Sequence, residues 1–166
     1  GNVNRYKDNP TVFCHNVAID TSTGRKDFKI IDEDKCSKLE IFVSDAMRGT
    51  VGFDPINIKD TKRNEFIKSN KDKIYKTIKV DCVTFDQFMH DNNISEVNFL
   101  KTDTEGFDIK ILESIDLNKY KVKNLKFEYV WSQQRAPKQY NRFIDHINEL
   151  GFQQKNKDWA DEIYTR

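Results

Sequence analysis

From Lys76 to Leu150 the chain alternates three times between a short β-like run and an amphipathic helical run, and this rhythm constrains the fold more than any single residue does. Lys76–Val83 alternates sides as a strand does. Thr84, with Gln87 three residues later, then forms a capping-box signature ahead of Phe85, Phe88 and Met89. That helix is expected to stop near Asn92 and Asn93. A strand over 97–102 and a helix over 106–115 follow, then a strand over Leu125–Val130 and a helix over Pro137–Leu150. In the last helix Tyr140, Phe143, Ile144, Ile147 and Leu150 recur at helical spacing, with Pro137 near the start and Gly151 just past the end. Tail strands near Phe152–Lys155 and Glu162–Thr165 finish the series. Strands that alternate with amphipathic helices predict an α/β fold with a mostly parallel, doubly wound sheet.

The N-terminal part has a different texture. Thr11–Ile19 is β-rich, Thr23–Gly24 marks a turn, and Asp27–Ile31 reads as a second strand. Asp32–Ser37 is polar enough to be expected as a loop, and Lys38–Ser44 alternates as a strand that would pair with Asp27–Ile31. Together these form an antiparallel hairpin insertion. Residues 45–75 are irregular, with a helical turn expected near Asn64–Ser69; loops of that length in a compact domain often serve as lids or binding segments.

At 166 residues the chain has the size of one domain. Its 28 basic side chains against 27 acidic ones give a net charge of +1, so it has no electrostatic footprint for nucleic acid. Cys14, Cys36 and Cys82 form no CxxC pair and no Cys/His array, which speaks against both a disulfide framework and a zinc site and for a reducing, cytoplasmic setting. No apolar run approaches the ~20 residues that span a bilayer, and the first residues lack a signal-peptide core, so no membrane partner is expected.

Chemistry concentrates at Val97–Gly106, VNFLKTDTEG, where an apolar run ends in Lys101, Asp103, Glu105 and Gly106. Such a strand-to-helix turn admits two readings. Asp103 or Thr104 caps the following helix, with Glu105 favoured by its dipole; or the acids work on a ligand, because ligands of open α/β sheets bind beyond the carboxyl ends of the strands. If the next strand lies alongside in parallel, Glu128 arrives at the same edge. A lysine with two or three carboxylates can deprotonate a hydroxyl or hold a divalent cation.

The run KVDCVTFDQFMHDNNISEVNFLKTDTEGFDIKILESI resembles the FkbM-type methyltransferase domain. The matching pieces are Thr84-Phe85-Asp86-Gln87-Phe88, similar to a TLDxF-like helix start, and Lys101–Gly106, similar to a K-x-D-x-E-G turn. Asn16-Val17-Ala18 is similar to an N-x-A stretch after the family's third strand, and Phe127-Glu128 lies on the strand after the acidic turn. The likeness runs from Thr11 to Phe152 and is most specific between Val80 and Leu112.

The resemblance implies a Rossmann-like, S-adenosylmethionine-dependent O-methyltransferase that acts on a hydroxyl of a sugar or other small metabolite. By the same likeness Asn16, Val17 and Ala18 lie near the adenine of the cofactor. Asp103 orients or deprotonates the acceptor, Lys101 offsets the developing alkoxide, and Glu105 and Glu128 support them; no metal is implied. The family's first strand, its glycine-rich turn and its second strand have no counterpart here, and GNVNRYKDNP resembles the stretch just before the third strand. The sheet is therefore expected to be incomplete at its N-terminal side and to be completed by an upstream segment or a partner chain. Other readings are a catalytically inactive methyltransferase-like binding or assembly module, and a metal-dependent enzyme built on Asp103, Glu105 and Glu128.

Overall fold

The computed structural model describes Tyr6 and residues 8–38, 73–104 and 106–166. The strand expected at Lys38–Ser44, apart from Lys38, nearly all of the insertion over 45–75 and Glu105 lie outside these residues. Within them the chain runs β1 (Ala18–Ile19), β2 (Gly24–Ile31), α1 (Glu33–Lys38), β3 (Tyr75–Val83), α2 (Phe85–Asp91), β4 (Phe99–Lys101), α3 (Asp108–Glu113), β5 (Asn124–Glu128), α4 (Val130–Arg135), α5 (Pro137–Glu149), β6 (Gln153–Lys157) and β7 (Asp161–Thr165). None of the described helices is long and apolar enough to cross a membrane.

The α/β class holds, but the described strands form two mixed sheets, ordered β1-β3-β2 and β4-β5-β7-β6, where one mostly parallel sheet was expected. Only β1–β3 and β4–β5 pair in parallel; β2–β3, β5–β7 and β6–β7 are antiparallel. Connection length explains the reversals. The link from β6 to β7 is a tight turn, too short for the crossover that a parallel neighbour needs, and the short link from β1 to β2 reverses the chain, so that β2 runs antiparallel to the β3 that lies between them. The long ladder pairs Gly24 with Cys82 through Ile31 with Tyr75.

Local sequence fixes the helix ends. At α2 the Thr84 hydroxyl accepts from the Gln87 backbone N–H at 3.1 Å, the expected N-cap. The reciprocal half of the capping box is not made, because the Gln87 amide donates to Asp91 at 2.6 Å. The helix closes in a Schellman motif: Asn93 sits at φ 54°, its N–H reaches the His90 carbonyl at 3.1 Å, and Ile94 N–H reaches the Met89 carbonyl at 2.9 Å. α5 closes the same way around Gly151 at φ 88°, with Gly151 N–H on Asn148 and Phe152 N–H on Ile147. Phe152 is thereby turned into the core.

That core lies between the second sheet and helices α3 and α5. Tyr140, Phe143 and Ile147 present one face of α5 inward, and Phe143 meets Phe127 of β5 edge to face at 5.6 Å while Tyr164 of β7 stacks on Phe127 at 5.7 Å. Each such buried side chain contributes about 1.5–3 kcal/mol. Beside it Glu162 is buried yet satisfied: Tyr140 donates to it at 2.8 Å, Tyr164 at 3.3 Å and Lys157 at 2.6 Å. Burial, followed by that carboxylate, pushes the Tyr140 hydroxyl far above the ordinary tyrosine range.

Three local expectations change. Asp32–Ser37 does not form a loop but leads into and makes up most of helix α1: the Asp32 carboxylate accepts from Lys35 N–H at 3.3 Å, its carbonyl accepts from Cys36 N–H at 2.9 Å, and the wholly buried Cys36 anchors the turn. Thr11–Ile19 shrinks to the two residues of β1, and Phe13 is left 83 % exposed. β-Branched residues make a strand only where a neighbouring strand takes up their side chains. The strand expected over Leu125–Val130 ends at Glu128, and Val130–Arg135 forms helix α4 ahead of the expected helix at Pro137.

Asp86, in the TFDQF segment, ties α2 to the far end of the α3 connection. Its carboxylate accepts from the Tyr120 hydroxyl at 2.6 Å and pairs with Lys119 at 3.1 Å, and these bonds, Tyr120's first, hold it below the ordinary carboxylate value of 3.8. A lowered folded pKa means stability that is fully present above the unfolded value and lost as pH falls through the folded one. The stability gap between the native chain and Tyr120→Phe is therefore expected to be constant near neutrality and to close as the pH drops below the ordinary carboxylate value. Denaturant midpoints across that range check it; a gap that stays constant in acid would remove Asp86 as its source.

Candidate active site

β4 and β5 run side by side in parallel, with Lys101 opposite Lys126 and Thr102 N–H on the Lys126 carbonyl at 2.9 Å. The turn after β4 and the end of β5 therefore reach the same edge, and Asp103 and Glu128 arrive there as expected. Glu128 is nearly buried, whereas Asp103 and Lys101 are exposed and joined by an ion pair of 2.7 Å. Next to them Lys126 bonds Asp161 at 2.8 Å, and that bond, with smaller help from Asp103, pushes its ammonium pKa up.

Neither Asp103 nor Thr104 caps α3. The N-cap position falls on Phe107, which makes no side-chain cap bond. The turn is instead held from the helix side by Asp108, wholly buried, whose Oδ2 accepts from Thr104 N–H at 3.2 Å, from the Thr104 hydroxyl at 2.8 Å and from Gly106 N–H at 3.4 Å. One carboxylate thus gathers three donors of a turn that has no ladder to bond to. Gly106 sits at φ 100°, and a Cβ built there would stand 2.8 Å from Trp131 Cβ. The glycine of the K-x-D-x-E-G pattern is required twice over, by backbone conformation and by the close approach of α4.

Between the two sheets lies a cleft of about 340 Å³. Ala18, Ile19 and Asp20 at the end of β1 form one wall, with Lys26 and Phe28 of β2 and Cys82 of β3; Thr104, Phe107 and Ile111 face them from the turn and α3. A cavity of this size, mostly apolar with a few polar groups, is what small-molecule sites look like. Asp20 and Lys26 pair on the first wall at 2.8 Å. Burial pushes the Asp20 carboxyl up, but hydrogen bonds from Lys26 and from the Thr21 N–H outweigh it and hold it below the ordinary value. Burial raises the pKa of the Cys82 thiol on this wall.

Of the residues singled out from sequence, the fold brings Ala18 and the acidic turn to one cleft through Thr104. Asn16 is exposed and Val17 half-buried, and neither lines the cavity; Lys101 and Asp103 do not line it either, although Asp103 immediately precedes Thr104, which does. Asp20, Lys26 and Asp108 escape a sequence reading. For Asp108 the available signal is the Thr-x-x-x-Asp spacing across the glycine. Among the described residues no group of three or more His, Cys, Asp or Glu side chains is placed to hold a metal ion.

The family model for the methyltransferase FkbM domain matches residues 2–154. No curated protein and no solved structure matches the chain. With β1, the capped α2, the acidic turn and the strand after it all inside the matched span, the chain belongs to the FkbM methyltransferase domain family.

Proposed function

We propose that this domain transfers a methyl group from S-adenosylmethionine to a hydroxyl of a sugar or other small metabolite, and that it works in the reducing cytoplasm. The observation that carries the reading is the cleft itself, which sets the Asn16–Ala18 segment's last residue against the acidic turn. Its donor set fits an adenosyl group: Ile19, Phe28, Phe107 and Ile111 offer apolar surface, and the Asp20 carboxylate offers an acceptor for amino or hydroxyl hydrogens. Asn16, Val17 and Ala18 belong to the cofactor side.

When bound, S-adenosylmethionine supplies an electrophilic methyl group on a sulfonium centre. This chain's own residues handle the acceptor. Asp103 takes the proton of the acceptor hydroxyl, Lys101 at 2.7 Å from it offsets the negative charge that develops on oxygen, and Glu128, with Glu105, supports the edge. Among the described residues β1 and β4 are edge strands, each with a single strand partner, and Phe99 of β4 is 53 % exposed. We read the two sheets as halves of one Rossmann-like sheet that an upstream segment or a partner chain completes.

The test is calorimetric titration of S-adenosylmethionine and S-adenosylhomocysteine into the chain, alone and joined to its upstream sequence. Affinity in the micromolar range, weakened about tenfold by Asp20→Asn, is expected. A folded protein that binds neither compound in either form would leave the non-catalytic binding module as the better reading.

A further inference from the structure

The turn between β6 and β7 carries Trp159, which at 87 % is the most exposed large hydrophobic side chain among the described residues. An indole in water is not unusual by itself. Its place in the sheet is what gives it meaning. β7 pairs with β5 so that Asp161 faces Glu128 and Ile163 faces Lys126, and on the other side of β5 Lys101 faces Lys126. The start of β7, with the turn before it, therefore lies at the same sheet edge as the turn that carries Asp103. Two ladder spacings, about 10 Å, separate β4 from β7. The cofactor cleft takes none of its described walls from β6, β7 or their turn.

The turn is fixed from both sides. Asp158 Oδ1 accepts from Ala160 N–H at 2.9 Å and from Asp161 N–H at 2.7 Å, and the Ala160 carbonyl accepts from Tyr129 N–H, just past β5, at 2.9 Å. An indole mounted on a fixed turn offers a large flat surface and gives up little conformational freedom when a ligand covers it. The charge around it selects that ligand. Lys101 is paired with Asp103 and Lys126 with Asp161. The Lys126 ammonium is pushed up by Asp161 first, then by Asp158 and Asp103, so three carboxylates of this edge act on one lysine. With Glu128 added, carboxylates outnumber lysines here among the described residues, which disfavours an anionic ligand. Hydroxyl groups suit the edge, because each carboxylate accepts hydrogen bonds through two oxygens.

We infer that Trp159 is the platform of the acceptor site: it stacks on the C–H face of a neutral sugar ring whose hydroxyls point along the edge toward Asp103. The 10 Å or so between the two turns is a span that a mono- or disaccharide bridges. Delivery of a hydroxyl to Asp103 rests on the methyl-transfer reading; the sugar platform itself does not. The inference narrows the acceptor from any small alcohol to an uncharged sugar, and it makes Trp159 a binding residue that takes no part in proton transfer.

The probes are neutral methyl glycosides, with sorbitol as an acyclic polyol control and phenol as a flat aromatic one. They are titrated into the isotope-labelled chain, alone and joined to its upstream sequence, with no methyl donor present. The chain has two tryptophans, and Trp159→Phe identifies which indole N–H signal belongs to Trp159. A saturable shift of that signal with at least one glycoside is expected. Trp159→Ala removes no buried packing, and it should raise the Kd read from the backbone amides of the turn about tenfold, while Trp159→Phe stays within about threefold. The absence of a saturable shift with any glycoside in either form, a shift that sorbitol or phenol reproduces, or an unchanged Kd in Trp159→Ala overturns the platform. Glycoside binding in a protein that does not bind S-adenosylmethionine would sink the methyl-transfer reading and leave the platform standing. S-adenosylmethionine binding without glycoside binding would do the opposite.

Discussion

Gly106→Ala is expected to destabilise the fold by about 3 kcal/mol, while Gly151→Ala costs about 1 kcal/mol. Both glycines have positive φ, 100° and 88°, so both substitutions force an L side chain into a disfavoured backbone region. Only one of them also meets an obstacle. A Cβ at Gly151 has nothing within 4 Å, whereas one at Gly106 meets Trp131 Cβ at 2.8 Å, and neither backbone-fixed carbon can rotate away. The difference between the two denaturation midpoints therefore isolates the packing of α4 on the turn. Equal losses would mean that α4 moves aside freely and that the glycine serves backbone conformation alone.

The consequence extends to the cleft, because the turn forms part of its wall. Thr104 and Phe107 line the cleft, and Asp108 ties Thr104 to Gly106. Pushing α4 off the turn would loosen the Asp108 bonds that shape the cleft wall. A loss of S-adenosylmethionine affinity in parallel with stability is the expected companion result.

How much of this was legible in the residues depends on whether the signal is local. The ends of α2 and α5 were readable because an asparagine or glycine at the first position past the helix has one conformational use, and Asn93 and Gly151 adopt it. The parallel pairing of β4 with β5 followed from the α3 crossover between them. Helix α1 was not readable: it is polar throughout except for Cys36, and its reason to exist is the burial of that one side chain in tertiary structure. The strand β2 was readable but its pairing was not, because its partner β3 lies beyond the whole insertion and no nearby residue announces the antiparallel ladder. At the site, Asp103 drew notice because it is charged at a strand end. Asp108, which does the structural work, reads like any acid in a first helical turn until the chain closes back on it.

That contrast separates two carboxylates five residues apart by what their loss should do. Asp103 is 56 % exposed at its side chain and its partner Lys101 45 %, and an exposed pair of this kind contributes about 0–1 kcal/mol to stability. Asp103→Asn is therefore expected to leave the denaturation midpoint nearly unchanged, to leave S-adenosylmethionine affinity unchanged, and to lower kcat by about a hundredfold or more, the range for a removed general base. Asp108→Asn should do the reverse. An amide in place of the buried carboxylate weakens three bonds to Thr104 and Gly106 and lowers stability by about 2 kcal/mol or more; activity then falls because the cleft wall is lost. Measured side by side, unaltered turnover in Asp103→Asn would assign the exposed ion pair to solubility and send the search for a base to Glu128, at the same edge. A stable but inactive Asp103→Asn would fix the place of proton transfer at the end of β4.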